Sequence, residues 1–431
     1  MRLQTRHLSS AMVAALLVFA TSCSSKWSLM PTPVVHQMIG REAYADEIDP
    51  AIGDRPPTTE FFYATNRSAT GEPTSRTYGN GVNGAMELGK VSVRIGDPRM
   101  RWENLLDLST QEERPSKVPV ELETTEHLGT LAKGEDPASA PGARGFADSV
   151  NRALARSPSK DVFIYVHGAK SSFQRSMVQA AQFHHFMGGD SVLISLSWPT
   201  TQSFLTYSTD VKHAAMSVEP FADLLEFLAK NTAARKINIL GYSAGSQVLS
   251  PGLFTLRQRY EGKSGAGLKR HFKLGEVYFA APDIATRTFA VDHLPVFRDM
   301  VDRTTFTYNQ DDAVLGISQW MNGVSRIGKP DVRELSEEEI EWLDQAAENP
   351  DLSVIDMSYE PVKRDVDFKP HGAWYLNPWA SSDVILQFLF RVDPSGRGLA
   401  QKPDGPDWFF PADYPERLQK IIEDANDEES H

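Results

Sequence analysis

Cysteine is nearly missing from this chain. Of 431 residues only Cys23 is a cysteine, so no intramolecular disulfide and no cysteine-based zinc site can form. Concentrated positive charge is missing too. The formal net charge is −13, with Asp and Glu dispersed up to a modest acidic cluster near Glu337 and an acidic tail. The lack of a Lys/Arg footprint argues against nucleic acid as a partner. No internal repeat is visible, and the apolar run Ala11 to Ala20 is too short for a comfortable membrane span. What is present is a globular composition, 41% hydrophobic and 23% charged. That is enough to bury a core in one large domain with additions, or in two domains.

The most informative stretch is Lys236 to Leu249, KINILGYSAGSQVL. An apolar strand, Ile237 to Leu240, runs into Gly241-Tyr242-Ser243-Ala244-Gly245 and then into a helix-competent segment. A G-x-S-x-G match carries meaning only in this strand, turn and helix setting. A serine on so sharp a turn has strained backbone angles, and the residues two before and two after it must be small for strand and helix to pass closely. The hydroxyl is a weak nucleophile alone and needs a base oriented by a carboxylate.

The chain before and after this turn reads as alternating strands and helices. Glu60–Thr65 and Lys90–Ile95 have strand character and form an opening pair at one side of a sheet, with a short strand near Val118 to Leu122. From Phe146 a regular alternation sets in: helix 146–156, strand 161–166 ending in His167-Gly168-Ala169, helix 172–186, strand 191–197 ending in Trp198-Pro199, and a long helix 211–230. Beyond Ser243 the Pro251-Gly252 pair should kink or end the helix. Strands 275–281 and 304–308 follow, ending in Pro282-Asp283 and Asn309-Gln310-Asp311-Asp312. Ser336 and Glu339 form a capping box for a helix through about Ala347, and Leu352 to Met357 is the last strand candidate. A terminal helix spans about 414–425. Apolar strands separated by helices predict an α/β fold with a mostly parallel central sheet covered on both faces, and its reactive groups should collect at the carboxyl ends of the strands.

In an α/β-hydrolase arrangement the order along the chain is Ser, acid, His. Of the histidines after Ser243, which are His271, His293, His371 and His431, only His371 sits in a loop past the last strand candidate and beside a glycine; it is expected to be the general base. Asp311, after the second strand past the nucleophile, is the first choice of acid, with Asp283 and Asp312 as alternatives. Asp283 could equally be a helix N-cap. Two backbone N–H groups should hold the oxyanion, those of Ala244 and Ala169. His167 is then expected to hold its turn. Trp198 to Thr200, Phe204 and the insert near Glu337 are expected around the pocket. No metal is expected: His184 and His185 are adjacent on a helix and face different ways, with no acidic residue at i+4. No cofactor is required.

The N-terminus has Arg2 and Arg6, the apolar run, and Ala20-Thr21-Ser22 directly before Cys23. This resembles a bacterial lipoprotein signal, in which the Cys becomes the acylated first residue. The resemblance implies a signal peptide over 1–22, a lipid-attachment site at Cys23, a Pro- and Ser-rich tether over 23–57 and a place on the cell envelope, facing the periplasm or in the outer membrane of a diderm host. The catalytic domain is expected over 58–400, with the acidic helical insert near 330–350, followed by a C-terminal helix and acidic tail over 401–431.

A series of short motifs carries a second resemblance: Ala64-Thr65-Asn66-Arg67, Leu88-Gly89, Phe163 to Gly168, Ser197-Trp198-Pro199, Gly241 to Gly245, Phe279 to Asp283, Tyr308 to Ala313 and Ser325 to Gly328. In this order they resemble the bacterial α/β-hydrolase family formerly catalogued as domain of unknown function 900, over about Glu60 to Phe390. Members of that family more often carry an Ala-His-Ser-Met-Gly turn, so Tyr242 and Ala244 depart from the pattern. The resemblance implies a Ser-Asp-His hydrolase without a defined substrate. The expectation is a membrane-tethered serine hydrolase acting on a lipid or other acyl ester. The alternative is an envelope lipoprotein in which a hydrolase-like scaffold binds a partner or lipid and catalysis is vestigial.

Overall fold

The computed structural model describes residues 27–47, 56–203, 206–359, 367–368 and 371–429. The described residues form one twelve-stranded sheet in the order β1-β4-β3-β2-β6-β5-β7-β8-β9-β10-β12-β11. Its strands are β1 (Trp27–Ser28), β2 (Thr58–Thr70), β3 (Thr77–Ile95), β4 (Pro119–Leu131), β5 (Val162–Val166), β6 (Val192–Leu196), β7 (Ile237–Tyr242), β8 (Leu274–Ala280), β9 (Arg303–Tyr308), β10 (Leu352–Asp356), β11 (Ala400–Gln401) and β12 (Trp408–Phe409). From β2 through β12 neighbouring strands pair in parallel, while β3, β4 and β1 extend one side antiparallel.

The expected α/β architecture is therefore present. Its central strands are buried along their whole length, because each side of a strand meets a different apolar layer. In β5, Val162, Ile164 and Val166 enter one core with Phe146, Leu225 and Val248. Phe163 and Tyr165 enter the other, with Phe183, Trp374 and Phe388. Helices Arg144–Arg156, Tyr207–Asn231 and Ser246–Arg259 supply the first layer, and helices Phe173–Phe186 and Pro378–Phe390 supply the second. A strand with period-two side chains satisfies both layers best when its residues are nearly all apolar, as in β5. The exceptions are buried Ser195 in β6 and Glu276 in β8, and Glu276 accepts from Gln387 Nε2 at 2.9 Å.

Several expectations need correction. The region expected as a tether is partly ordered on the domain: β1 pairs with the edge of β4, and Leu29, Met30, Val34, Val35 and Tyr44 are buried. The Met30 N–H donates to Gln182 Oε1 at 2.6 Å and the Val35 N–H to Ser382 Oγ at 3.1 Å. The helix after Ser243 does not break at Pro251 but continues to Arg259. Leu249, Leu253 and Leu256 are buried and Phe221 seats against Gly252, where a methyl group would lie 2.4 Å from its ring; packing here outweighs the local cost of proline. Leu352 to Asp356 is not the last strand, since β12 lies parallel beside it. The signal segment 1–22, Cys23, Phe204 and His431 lie outside the described residues. No helix among the described residues is long and apolar enough to cross a membrane.

Candidate active site

Strand β7 delivers the chain to Ser243 with a left-handed backbone, φ 51°, after which a single 3-10 turn, Ser243–Gly245, opens the helix Ser246–Arg259. A non-glycine residue in this region is strained, and its neighbours show how the strain is held. A Cβ on Gly245 would lie 2.6 Å from the His167 carbonyl oxygen and 2.7 Å from that of Val166, so the turn presses against the backbone leaving β5. At Gly241 the obstacle is the end of the Leu249 side chain, at 2.5 Å. The Ser243 carbonyl is held by the Asp283 N–H at 3.1 Å and by the Ser246 hydroxyl at 2.7 Å.

The serine side chain lies against His371. Ser243 Oγ is 2.6 Å from His371 Nε2, and His371 Nδ1 is 2.6 Å from Asp312 Oδ2. In the neutral tautomer that these partners favour, the hydroxyl donates to Nε2 and Nδ1–H donates to the carboxylate. The Asp312 side chain is 2% exposed and that of His371 11%, so bulk water does not compete for the pair. Asp312 also caps the helix Ala313–Asn322, with Oδ1 accepting from the Leu315 N–H at 2.9 Å. One carboxylate oxygen thus serves the helix and the other serves the ring. Tyr242 packs beside His371 with ring centroids 5.4 Å apart, and burial pushes its phenol pKa up.

The first choice of acid is corrected here. Asp311 is exposed; its N–H donates to Asn309 Oδ1 at 2.9 Å, while the Asp312 N–H turns back to the Asn309 carbonyl at 3.2 Å. That turn directs the second aspartate inward and the first outward. Asp283 is buried but occupied elsewhere. Its Oδ1 accepts from Arg326 Nε and from the Ser318 hydroxyl, both at 2.6 Å, and its Oδ2 accepts from the Tyr207 hydroxyl at 2.6 Å.

The turn His167-Gly168-Ala169 lies directly over the nucleophile, for a Cβ on Gly168 would be 2.9 Å from Ser243 Cβ. The two residues expected to hold an oxyanion thus come from two different elements, Ala244 directly after Ser243 and Ala169 directly after Gly168. His167 holds the turn: its Nδ1–H donates to the Gly168 carbonyl at 2.7 Å, and its ring stacks on Trp198 at 5.5 Å and 6°. Burial, reinforced by the nearby Arg67 cation, lowers its pKa to about 3, so it stays neutral. Trp198 and Thr200, expected at the pocket, are instead fully buried beneath this turn. The helix Glu337–Ala347 packs Ala346 and Ala347 into the core under β10. Three other histidines are engaged elsewhere: His184 Nε2 with the Ser191 carbonyl, His185 Nε2 with Ser109 Oγ, and His293 Nδ1 with Ser250 Oγ. No cluster of potential metal ligands occurs among the described residues.

A family model described as an alpha/beta hydrolase of unknown function (DUF900) matches residues 143–364, which spans β5 to β10 with Ser243 and Asp312 and stops short of His371. A comparison with curated proteins finds no match. Among solved structures, a predicted CIB-like hydrolase from Thermoplasma acidophilum aligns at 11% identity over 54% of this chain and 88% of its own, with a TM-score of 0.29. A protein described as “a putative agmatinase from Clostridium difficile” aligns at 12% identity over 45% of this chain and 84% of its own, with a TM-score of 0.16. At these scores neither likeness carries an argument.

Proposed function

The chain belongs to the alpha/beta hydrolases of unknown function (DUF900), and from that membership we propose that it is a serine hydrolase cleaving a carboxylic ester of a lipid or other acyl compound. The observation that carries the reading is the unbroken chain of contacts from Ser243 to His371 to Asp312, with 2.6 Å at each step, set on a strained strand-to-helix turn at the carboxyl edge of the sheet.

In this reading Ser243 Oγ attacks the ester carbonyl carbon as its proton passes to His371 Nε2. The new imidazolium is stabilised by the Asp312 carboxylate, which keeps its charge and the ring's orientation. The carbonyl oxygen becomes an oxyanion held by the N–H groups of Ala244 and Ala169. Collapse of this intermediate breaks the bond to the alkoxy group, which leaves as an alcohol with the proton from Nε2, and Ser243 stays acylated. A water molecule, deprotonated by Nε2, then attacks the acyl carbon; the acid is released and the serine regains its proton. The step needs neither metal nor cofactor. The same reading takes Cys23 as a lipid-attachment site that keeps the catalytic domain at the surface of a bacterial envelope membrane.

The test is covalent labelling of the full-length, detergent-solubilised chain by a fluorophosphonate, beside Ser243→Ala and His371→Ala. Labelling of the wild type that disappears in both variants is expected. A folded wild type that remains unlabelled would overturn the proposal and leave a scaffold without catalysis.

A further inference from the structure

The motif Ala64-Thr65-Asn66-Arg67 contributes nothing to the three contacting side chains at Ser243, yet its arginine is fully buried with its guanidinium directed at the underside of the active-site turn. Arg67 Nε donates to Ser197 Oγ at 3.0 Å, one terminal nitrogen donates to the Gly79 carbonyl at 3.1 Å, and the other donates to the Ser171 carbonyl at 2.6 Å while lying 3.5 Å from His167 Nε2 and 3.5 Å from Thr200 Oγ1. Its hydrogen bonds go to carbonyls and hydroxyls, so burial pushes its pKa down to about 9, which leaves it a cation at neutral pH.

These contacts meet at one end of the segment His167 to Ser171. Ser171 is gripped twice, since its N–H donates to Thr200 Oγ1 at 3.1 Å and its carbonyl also accepts from the Thr200 hydroxyl at 2.6 Å. At the other end the Trp198 indole N–H donates to the His167 carbonyl at 2.7 Å. Between the two grips Lys170 is forced into the left-handed region, φ 55°, a conformation that a lysine adopts only when its surroundings impose it. The residue before it is Ala169, whose N–H is one of the two donors assigned to the oxyanion in the serine-hydrolase reading. The carbonyl of Ser197, from the same strand end, is in turn held by the Thr65 hydroxyl at 2.5 Å. Two motifs far apart in sequence, around Arg67 and around Trp198, are thus joined by the one loop that lies over Ser243.

Resting on the serine-hydrolase reading, we propose that Arg67, acting with Thr200, is a positioning residue of the oxyanion site: the buried guanidinium pins the Ser171 carbonyl, which keeps Lys170 left-handed and the Ala169 N–H aimed at the reacting oxygen. A lysine cannot replace it, because a single ammonium on a shorter stem cannot reach Ser197, Gly79 and Ser171 together.

The test compares the full-length wild type with Arg67→Lys, Arg67→Ala and Thr200→Val, using a p-nitrophenyl acyl ester for steady-state rates, a fluorophosphonate for labelling rates and thermal unfolding to confirm folding. Because one misplaced oxyanion donor typically lowers the rate about 10²–10³-fold, folded Arg67→Lys and Thr200→Val should each lose kcat and labelling rate on the order of 10²-fold while KM changes little. Added guanidinium should restore part of the kcat of Arg67→Ala, and added ammonium should not. A purely structural arginine would lower the unfolding temperature and leave the kcat of the folded protein intact. Should Arg67→Lys fail to fold, Thr200→Val tests the same grip from the other side. An active wild type whose folded variants keep kcat within about twofold, or lose only KM, overturns the positioning role alone. A folded wild type that neither labels nor turns over overturns the hydrolase reading and this inference with it.

Discussion

The two adjacent aspartates at the end of β9 offer the sharpest test of the active-site geometry. Replacing Asp312 with Asn keeps a side-chain oxygen to accept from the Leu315 N–H, now 2.9 Å away, and Asn caps a helix as well as Asp does, so stability should change by less than about 1 kcal/mol. Chemistry should not be spared. The contact from Asp312 Oδ2 to His371 Nδ1 is 2.6 Å, and with an amide NH2 in that place the ring is driven to carry its proton on Nε2, where it can no longer accept the proton of Ser243. The corresponding change in the serine-protease triad lowers kcat about 10⁴-fold, equal to roughly 5 kcal/mol of transition-state stabilisation. Asp311→Asn alters an exposed side chain and should leave kcat within about twofold, as surface changes usually leave stability nearly unchanged. Steady-state hydrolysis of a p-nitrophenyl ester, with unfolding curves for both variants, separates the cases. A kcat that falls in Asp311→Asn and survives in Asp312→Asn would refute the geometry.

Two further outcomes follow from the packing. Gly245→Ala sets a methyl group against two backbone carbonyls at 2.6 and 2.7 Å, which cannot move without shifting the turn beneath the oxyanion site, so a loss of about 1–3 kcal/mol is expected. Gly241→Ala meets only the tip of Leu249 and should cost less than half as much; equal unfolding midpoints for the two variants would contradict this. Stability should also depend on pH through the buried histidines. Burial lowers the pKa of His36, His167 and His185 to about 3 each, against about 6.5 in the unfolded chain. Below pH 6.5 the unfolded chain therefore binds protons that the folded one refuses. The contribution is complete above pH 6.5 and declines as pH falls towards 3, by about 1.4 kcal/mol per pH unit for each histidine. Urea unfolding at pH 7 and pH 5 reads this directly, and equal stabilities would sink it.

The sequence made the parallel half of the sheet legible because strands such as VFIYV at β5 and VLISL at β6 are wholly or almost wholly apolar on both sides and have no other use. Ser243 and His371 were legible for a related reason, as each sits at a turn where a glycine makes room or freedom. The choice between Asp311 and Asp312 was not legible. It depends on which way the Asn309 turn rolls, and two identical neighbouring side chains give no periodic signal. Strand β4 was underestimated because its Glu, Thr and His residues alternate with Val and Leu on a half-exposed face. The segment around Met30 and Val35 looked like a leash for a physical reason too: its apolar residues follow no strand or long-helix period, and the partners Gln182 and Ser382 lie more than a hundred residues away. Nor does any pattern in ATNR announce that its arginine is buried.

The pairing of Trp27 with β4 sets a limit on how far this domain could roam. Four residues carry the chain from Cys23 to Trp27, at most about 14 Å when fully extended. If Cys23 bears acyl chains, the domain is not a float on a long line but a body moored close against the leaflet, with the β1–β4 edge as its near side. Under the proposed lipid-anchored hydrolase reading, its search for substrate would then be two-dimensional, sweeping the plane of the membrane and meeting what lies in that plane far more often than what is dissolved above it.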